Sequence, residues 1–156
     1  MTKFTDAVFL VLKQEGGYVN NPNDLGGETK YGICKRDHPN IDIKNITPMQ
    51  AMAIYQTNYW QPAYDQLNSQ LIINKTFSVG VDIGIREANI CLQRAVWAAN
   101  GTYLIEDGDL GEISVSAINS CNTSILLAAL KSELAGHYRM IKNPAEIKGW
   151  LNRAYS

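Results

Sequence analysis

Two carboxyl groups and a hydroxyl near the start of the chain, Glu15, Asp24 and Thr29, are the residues best placed to do chemistry. Acid-assisted cleavage of a glycosidic bond needs one carboxyl that protonates the departing oxygen. It needs a second, ionised, that activates water or steadies the positively charged sugar. Glu15 falls where an amphipathic helix over 4–14 should end, after Phe4, Ala7, Val8, Val11 and Leu12 recur at i, i+3, i+4, i+7 and i+8. Asp6 in the first turn and Lys13 in the last suit the helix dipole, and Gly16-Gly17 stops the helix. At that end the dipole disfavours a negative charge, which biases Glu15 towards the protonated acid. An arbitrary glutamate there would be a solvated last-turn residue; the glycine-rich, acidic stretch after Glu15 argues for the functional reading.

Residues 14–33 hold five glycines, one proline and three acidic residues. Such a stretch cannot be a helix interior, where each glycine costs roughly 1 kcal/mol relative to alanine. It reads as a small β-hairpin or looped lobe over 17–33, with turns at Asn21-Pro22-Asn23-Asp24 and Leu25-Gly26-Gly27. Asp24 is then either a turn-former that bonds its own backbone or the second carboxylate, and its spacing from Glu15 favours the latter. Thr29 either positions a water or caps a strand end. Tyr18 and Tyr31 either line a cleft as stacking faces for sugar or are half-buried lobe residues. Glu28 would point away from Thr29 in an alternating strand and is the weaker candidate.

These residues resemble the glycoside hydrolase family 108 muramidases, many of them phage endolysins. The family's Glu-Gly-Gly-Tyr stands here as Glu15-Gly16-Gly17-Tyr18, its Asp-x-Gly-Gly-x-Thr as Asp24-Leu25-Gly26-Gly27-Glu28-Thr29, and its Gly-Ile as Gly32-Ile33. The spacing is also similar to the Glu-x8-Asp-x5-Thr of phage-type lysozymes, with the second interval one residue shorter here. Tyr59-Trp60 resembles the pair that ends a helix in the family, and Gly149-Trp150 followed by Arg153 resembles its C-terminal Gly-Trp-x-x-Arg. After Asp82 the match departs, and Arg86 stands in place of an asparagine.

The resemblance implies an α+β fold, mainly α: a lysozyme-like helical domain with a small β-hairpin lobe. Residues 1–85 would be the catalytic region and 86–156 a peptidoglycan-binding-like helical region, packed together as one compact domain. The implied reaction is hydrolysis of the β-1,4 bond between N-acetylmuramic acid and N-acetylglucosamine, with inversion favoured. Glu15 would be the acid, and Asp24, with Thr29, the partner that activates water or stabilises the cationic centre. Trp60 would stack on sugar or simply pack in the core. Arg86 would donate to an N-acetyl carbonyl or a peptide-stem carboxylate. No metal and no cofactor is called for. A lytic transglycosylase using Glu15 alone, or a wall-binding module without catalysis, are the alternatives.

A length of 156 residues fits one domain with a substantial core, and 46% apolar with 19% charged residues is ordinary for a globular chain. A net charge of −1 gives no electrostatic case for nucleic acid, and a grip on anionic wall would have to come from a shaped groove. The expected partner is the glycan strand of peptidoglycan, bound by a monomer. Cys34, Cys91 and Cys121 fit neither a zinc spacing nor a disulfide scaffold, and free thiols are expected. The start of the chain lacks the order of a signal peptide, and no apolar run is long enough for stable membrane insertion. Synthesis in a bacterial host cytoplasm, with action in the periplasm or wall after holin-type release, is the expectation.

Thr47-Pro48-Met49-Gln50 is a helix start with a capping box, running to about Trp60. Residues 71–85 form the most apolar helix, with Gly80 and Gly84 inviting close approach by another, and Asp82 either a buried structural carboxylate or an auxiliary acid. A helix from Ala88 to Asn100 ends at Gly101. Glu106-Asp107-Gly108-Asp109-Leu110-Gly111 is an acidic turn without the ligand pattern of a calcium loop. Ser114 or Ser116 then caps a short helix to Cys121. Asn122 or Thr123 caps a long one to about Lys142, and 145–155 form the last, anchored by Trp150.

Overall fold

The computed structural model describes residues 1–141 and 143–156, and its backbone contacts divide the chain into two compact units, 1–60 and 61–156. The fold is α+β and mainly α, as expected. The first unit opens with helix α1, Lys3–Glu15, whose Thr2 side chain accepts the Thr5 N–H and whose apolar face, Phe4, Ala7, Val8, Val11 and Leu12, is buried. Gly16 at φ 70° ends it, with its N–H returning to the Leu12 carbonyl. Next in the chain comes a three-stranded antiparallel sheet of β1 (Val19–Asn20), β2 (Glu28–Lys30) and β3 (Ile33–Cys34) in the order β1-β2-β3. It is one strand larger than a hairpin. Helix α2, Pro48–Asn58, carries the full capping box between Thr47 and Gln50 and packs on α1.

The second unit begins with a 3-10 turn, Pro62–Gln66, then α3 (Gln70–Ile83), α4 (Ile85–Asn100), α5 (Glu112–Ser120), α6 (Thr123–Met140) and α7 (Ile147–Tyr155). Helix α4 packs on α3, α5 and α6, and α6 on α7, around Phe77, Leu92, Val96, Leu130 and Leu134. Residue Lys142, the expected end of α6, lies outside the described residues. Among those described, no single helix is long and apolar enough to cross a membrane.

The structure corrects three expectations. Helix α3 stops at Ile83, and Ile85 already begins the next helix. Gly84 is the joint between them, at φ 102° with open space around it, so only Gly80 is a point of close approach. There a β-carbon would stand 2.7 Å from Ile85 Cδ1 and 3.3 Å from Ala88 Cβ. Neither Ser114 nor Ser116 caps α5, which starts at Gly111 without a side-chain cap; Ser114 is buried inside the helix instead.

Candidate active site

Glu15 is the last residue of α1 and is half-buried. What it leans on is the turn joining β2 to β3. Lys30 pairs with Ile33, leaving Tyr31 and Gly32 as a two-residue connection at φ 53° and 76°. Two positive φ values are the mark of a type I′ hairpin turn, whose twist matches that of the strands. Glycine is needed at 32, because a β-carbon there would collide with the Tyr55 hydroxyl and meet Glu15 Cγ at 3.0 Å. Tyr31 holds the turn against the helix end by donating its N–H to the Gly16 carbonyl at 3.2 Å, and its own carbonyl accepts the Tyr55 hydroxyl at 2.8 Å.

Asp24 lies in the loop joining β1 to β2 and is exposed. Its N–H bonds the Asn21 carbonyl at 2.9 Å, its carbonyl accepts from Gly27 at 3.0 Å, and its Oδ1 accepts the Gly26 N–H at 2.8 Å. That is an Asx turn, the local role open to any aspartate in such a loop. The same Oδ1 lies 3.3 Å from the point where a Gly26 β-carbon would sit, and Cys34 Cβ lies 3.7 Å from it. Thr29 pairs with Cys34 across the β2–β3 ladder and with Val19 on the other side. Directly opposed residues share a face, so Thr29, Cys34 and the Asp24 carboxylate gather at one end of the sheet. The Glu15 turn is at the other end, about two strand residues or roughly 7 Å away along the backbone. The Thr29 hydroxyl reaches the Gly27 carbonyl only at 3.5 Å, too long to fix it firmly.

Tyr18 and Glu28 lie on the opposite face. The Tyr18 hydroxyl donates to Glu28 Oε1 at 2.6 Å, and this bond holds the tyrosine above its ordinary pKa. Lys30 Nζ stands 5.4 Å from the Tyr31 ring centroid and donates to the Lys44 carbonyl. Trp60 packs edge-on against Phe4, with ring centroids 5.2 Å apart. Phe4 is eleven residues upstream of Glu15, about 16 Å along the helix axis. The structure therefore places Trp60 at the far end of α1 and does not bring it to Glu15.

Arg86 belongs to the second unit. It is exposed, its Nη1 stands 3.4 Å from Glu87 Oε1, and its stem and carbonyl pack under Gly108. The acidic turn above it is held by two buried amides. Gln93 donates to Asp107 Oδ1 and the Asp109 carbonyl at 3.0 Å and accepts from the Gly108 N–H at 2.9 Å; Asn89 donates to the Gly108 carbonyl and accepts from Tyr64. Beside this turn lies an open groove of about 540 Å³ walled by Tyr103, Ile105 and Ile113 and edged by Asp107, Asp109 and Glu112. Asp82 accepts from Tyr138 at 2.7 Å and pairs with Arg153 at 3.1 Å, so it fastens helices together, on a side chain more exposed than the reading of a buried carboxylate implied.

Sequence reasoning missed Tyr55 and the groove. Tyr55 gave only the signal of a ring on an apolar helix face. The groove is formed by side chains spread over an irregular stretch that has no periodicity to read.

Residues 8–84 match the family model described as Glycosyl hydrolase 108. Among solved structures, that of Brucella abortus SagA superposes with a TM-score of 0.78 at 25% identity, over 97% of this chain and 89% of that one. No curated protein sequence matches.

Proposed function

We propose, from the match of residues 8–84 to the glycosyl hydrolase 108 family model, that the chain is an N-acetylmuramidase acting on peptidoglycan as a phage or prophage endolysin does. Glu15 protonates the glycosidic oxygen between N-acetylmuramic acid and N-acetylglucosamine. Asp24, ionised on its exposed loop, activates a water that Thr29 helps to place. The observation carrying this reading is the seat of Glu15: a half-buried carboxyl at a helix C-terminus, pressed on the same small sheet whose other end gathers Asp24 and Thr29. Inverting hydrolases keep their carboxyls about 6.5–9.5 Å apart to admit a water, and the backbone offset of the two ends is of that order.

Tyr31, in the turn beside the acid, offers an aromatic face for sugar. Tyr18, half-exposed with its hydroxyl fixed by Glu28, offers a second platform on the other face of the sheet. The groove beside Tyr103 and Ile113, with Arg86 below the adjoining turn, is where the helical unit would hold the wall.

Digestion of purified Gram-negative peptidoglycan by wild type and Glu15→Gln, with mass spectrometry of the soluble muropeptides, tests the reaction. Reducing N-acetylmuramic acid ends from wild type, with release lowered at least 100-fold in the variant, are expected. Anhydro ends would indicate a lytic transglycosylase instead. Wall binding without release by either protein would end the catalytic reading.

A further inference from the structure

The turn that Glu15 leans on is backed by Tyr55, a wholly buried residue of α2. Tyr31 is the unusual element of that turn. A bulky residue at positive φ persists only where its surroundings hold it there. Two bonds do so, from the Tyr31 N–H to the Gly16 carbonyl and from the Tyr55 hydroxyl to the Tyr31 carbonyl. The same hydroxyl oxygen crowds the side of Gly32 where a β-carbon would be, and Glu15 Cγ and Cβ crowd it from 3.0 and 3.4 Å. The phenol and the side chain of the acid therefore meet across one glycine.

We propose that Tyr55 is the positioning residue for Glu15, an inference that rests on Glu15 being the general acid. The hydroxyl has one proton, and the Tyr31 carbonyl takes it. Towards the carboxyl, one bond beyond Cγ, the phenol then presents only lone pairs. A protonated carboxyl can donate to them; an ionised one sets lone pair against lone pair unless the phenol abandons the carbonyl. Tyr55 thus aims the acid. Gly32 leaves open the space that both groups border.

Tyr55→Phe keeps the ring and its packing on Tyr59, at 5.3 Å between centroids, and removes the oxygen. The expected result is a fall in kcat on peptidoglycan of about 10-fold or more at unchanged KM. Combined with Glu15→Gln, the same change should lower residual activity no further, because the group it positions is gone. Wild-type kcat in Tyr55→Phe, or equal losses in both backgrounds, overturns the proposal while leaving the general acid in place. A Glu15→Gln protein as active as wild type would instead overturn the general-acid reading beneath it. Replacing Tyr55 with 3-fluorotyrosine, which preserves packing and weakens the phenol as an acceptor, gives a second readout should Tyr55→Phe fail to fold. There kcat should fall while KM holds, and an unchanged kcat counts against the proposal.

Discussion

Lys75 carries its ammonium into the interior of the helical unit, where it is 8% exposed and donates to the Arg153 carbonyl at 2.6 Å. Burial, with Lys131 and Arg153 nearby, brings its pKa down from 10.5 to about 8. Below about pH 8 the lysine is charged in both folded and unfolded chains, and folding bears the cost of burying that charge. Between about 8 and 10.5 the unfolded chain alone keeps the proton, so this residue's contribution to stability rises with pH, by on the order of 3 kcal/mol across the window. Tyr64, Tyr138 and Cys91, all raised chiefly by burial, act in the opposite sense, the thiol from about pH 9 and the phenols from about pH 10, inside the same window. The measurement is therefore a difference: urea unfolding of wild type minus Lys75→Met should rise from pH 8 to 10, and a flat difference would show that the buried amine is not held down. At this scale the sequence is legible where backbone rules act. Asp24 forms the turn that its neighbours Gly26 and Gly27 announce. Tyr55 and Trp60 are not separable by type, because one bonds the turn beside Glu15 and the other packs on Phe4 only through the path of the chain.

Helices were easiest to place where a cap marks them. Thr47 and Gln50 close a reciprocal box, Asn122 accepts the Ile125 N–H, and Gly101 ends α4 in the left-handed conformation. The α3–α4 boundary was harder, because Ile83 and Ile85 flank Gly84 in an unbroken apolar pattern, and only the dihedral of Gly84 divides it. Gly80 shows two opposed effects in one element. Alanine would gain roughly 1 kcal/mol of helix propensity. Its β-carbon would also press on Ile85 Cδ1 and on the Ile85 Cα at 3.3 Å, and overpacking of that sort costs about 1–3 kcal/mol. The second effect wins because α4 cannot retreat from a backbone contact by rotating a side chain. Gly80→Ala should lower stability by about 1–2 kcal/mol in chemical denaturation; an increase would show that α4 yields at little cost.

Across the whole molecule, the two compact units and the family match do not share a boundary: the match spans 8–84, while the contacts divide at 60/61 and group α3 with the later helices. Apolar periodicity shows that α3 is buried but not which helices bury it, so a boundary at 85 and one at 60 are equally compatible with the pattern. Charge is more direct. With 14 basic and 15 acidic residues, the chain has no field to draw it to a wall. Pelleting with peptidoglycan should change less than about 2-fold between 50 and 200 mM salt, since groove contacts are little screened and long-range steering is absent. A steep loss would point to a local basic surface that the net charge conceals.

The edge-on contact between Phe4 and Trp60 also makes the protein its own optical reporter. Trp60 is the single indole of the first unit, whereas Trp97 and Trp150 both belong to the second, one solvent-facing and one stacked on Tyr138. With Trp97 and Trp150 replaced by phenylalanine, intrinsic fluorescence would follow the melting of α1 and the glutamate it carries, independently of the helices that bear the rest of the chain.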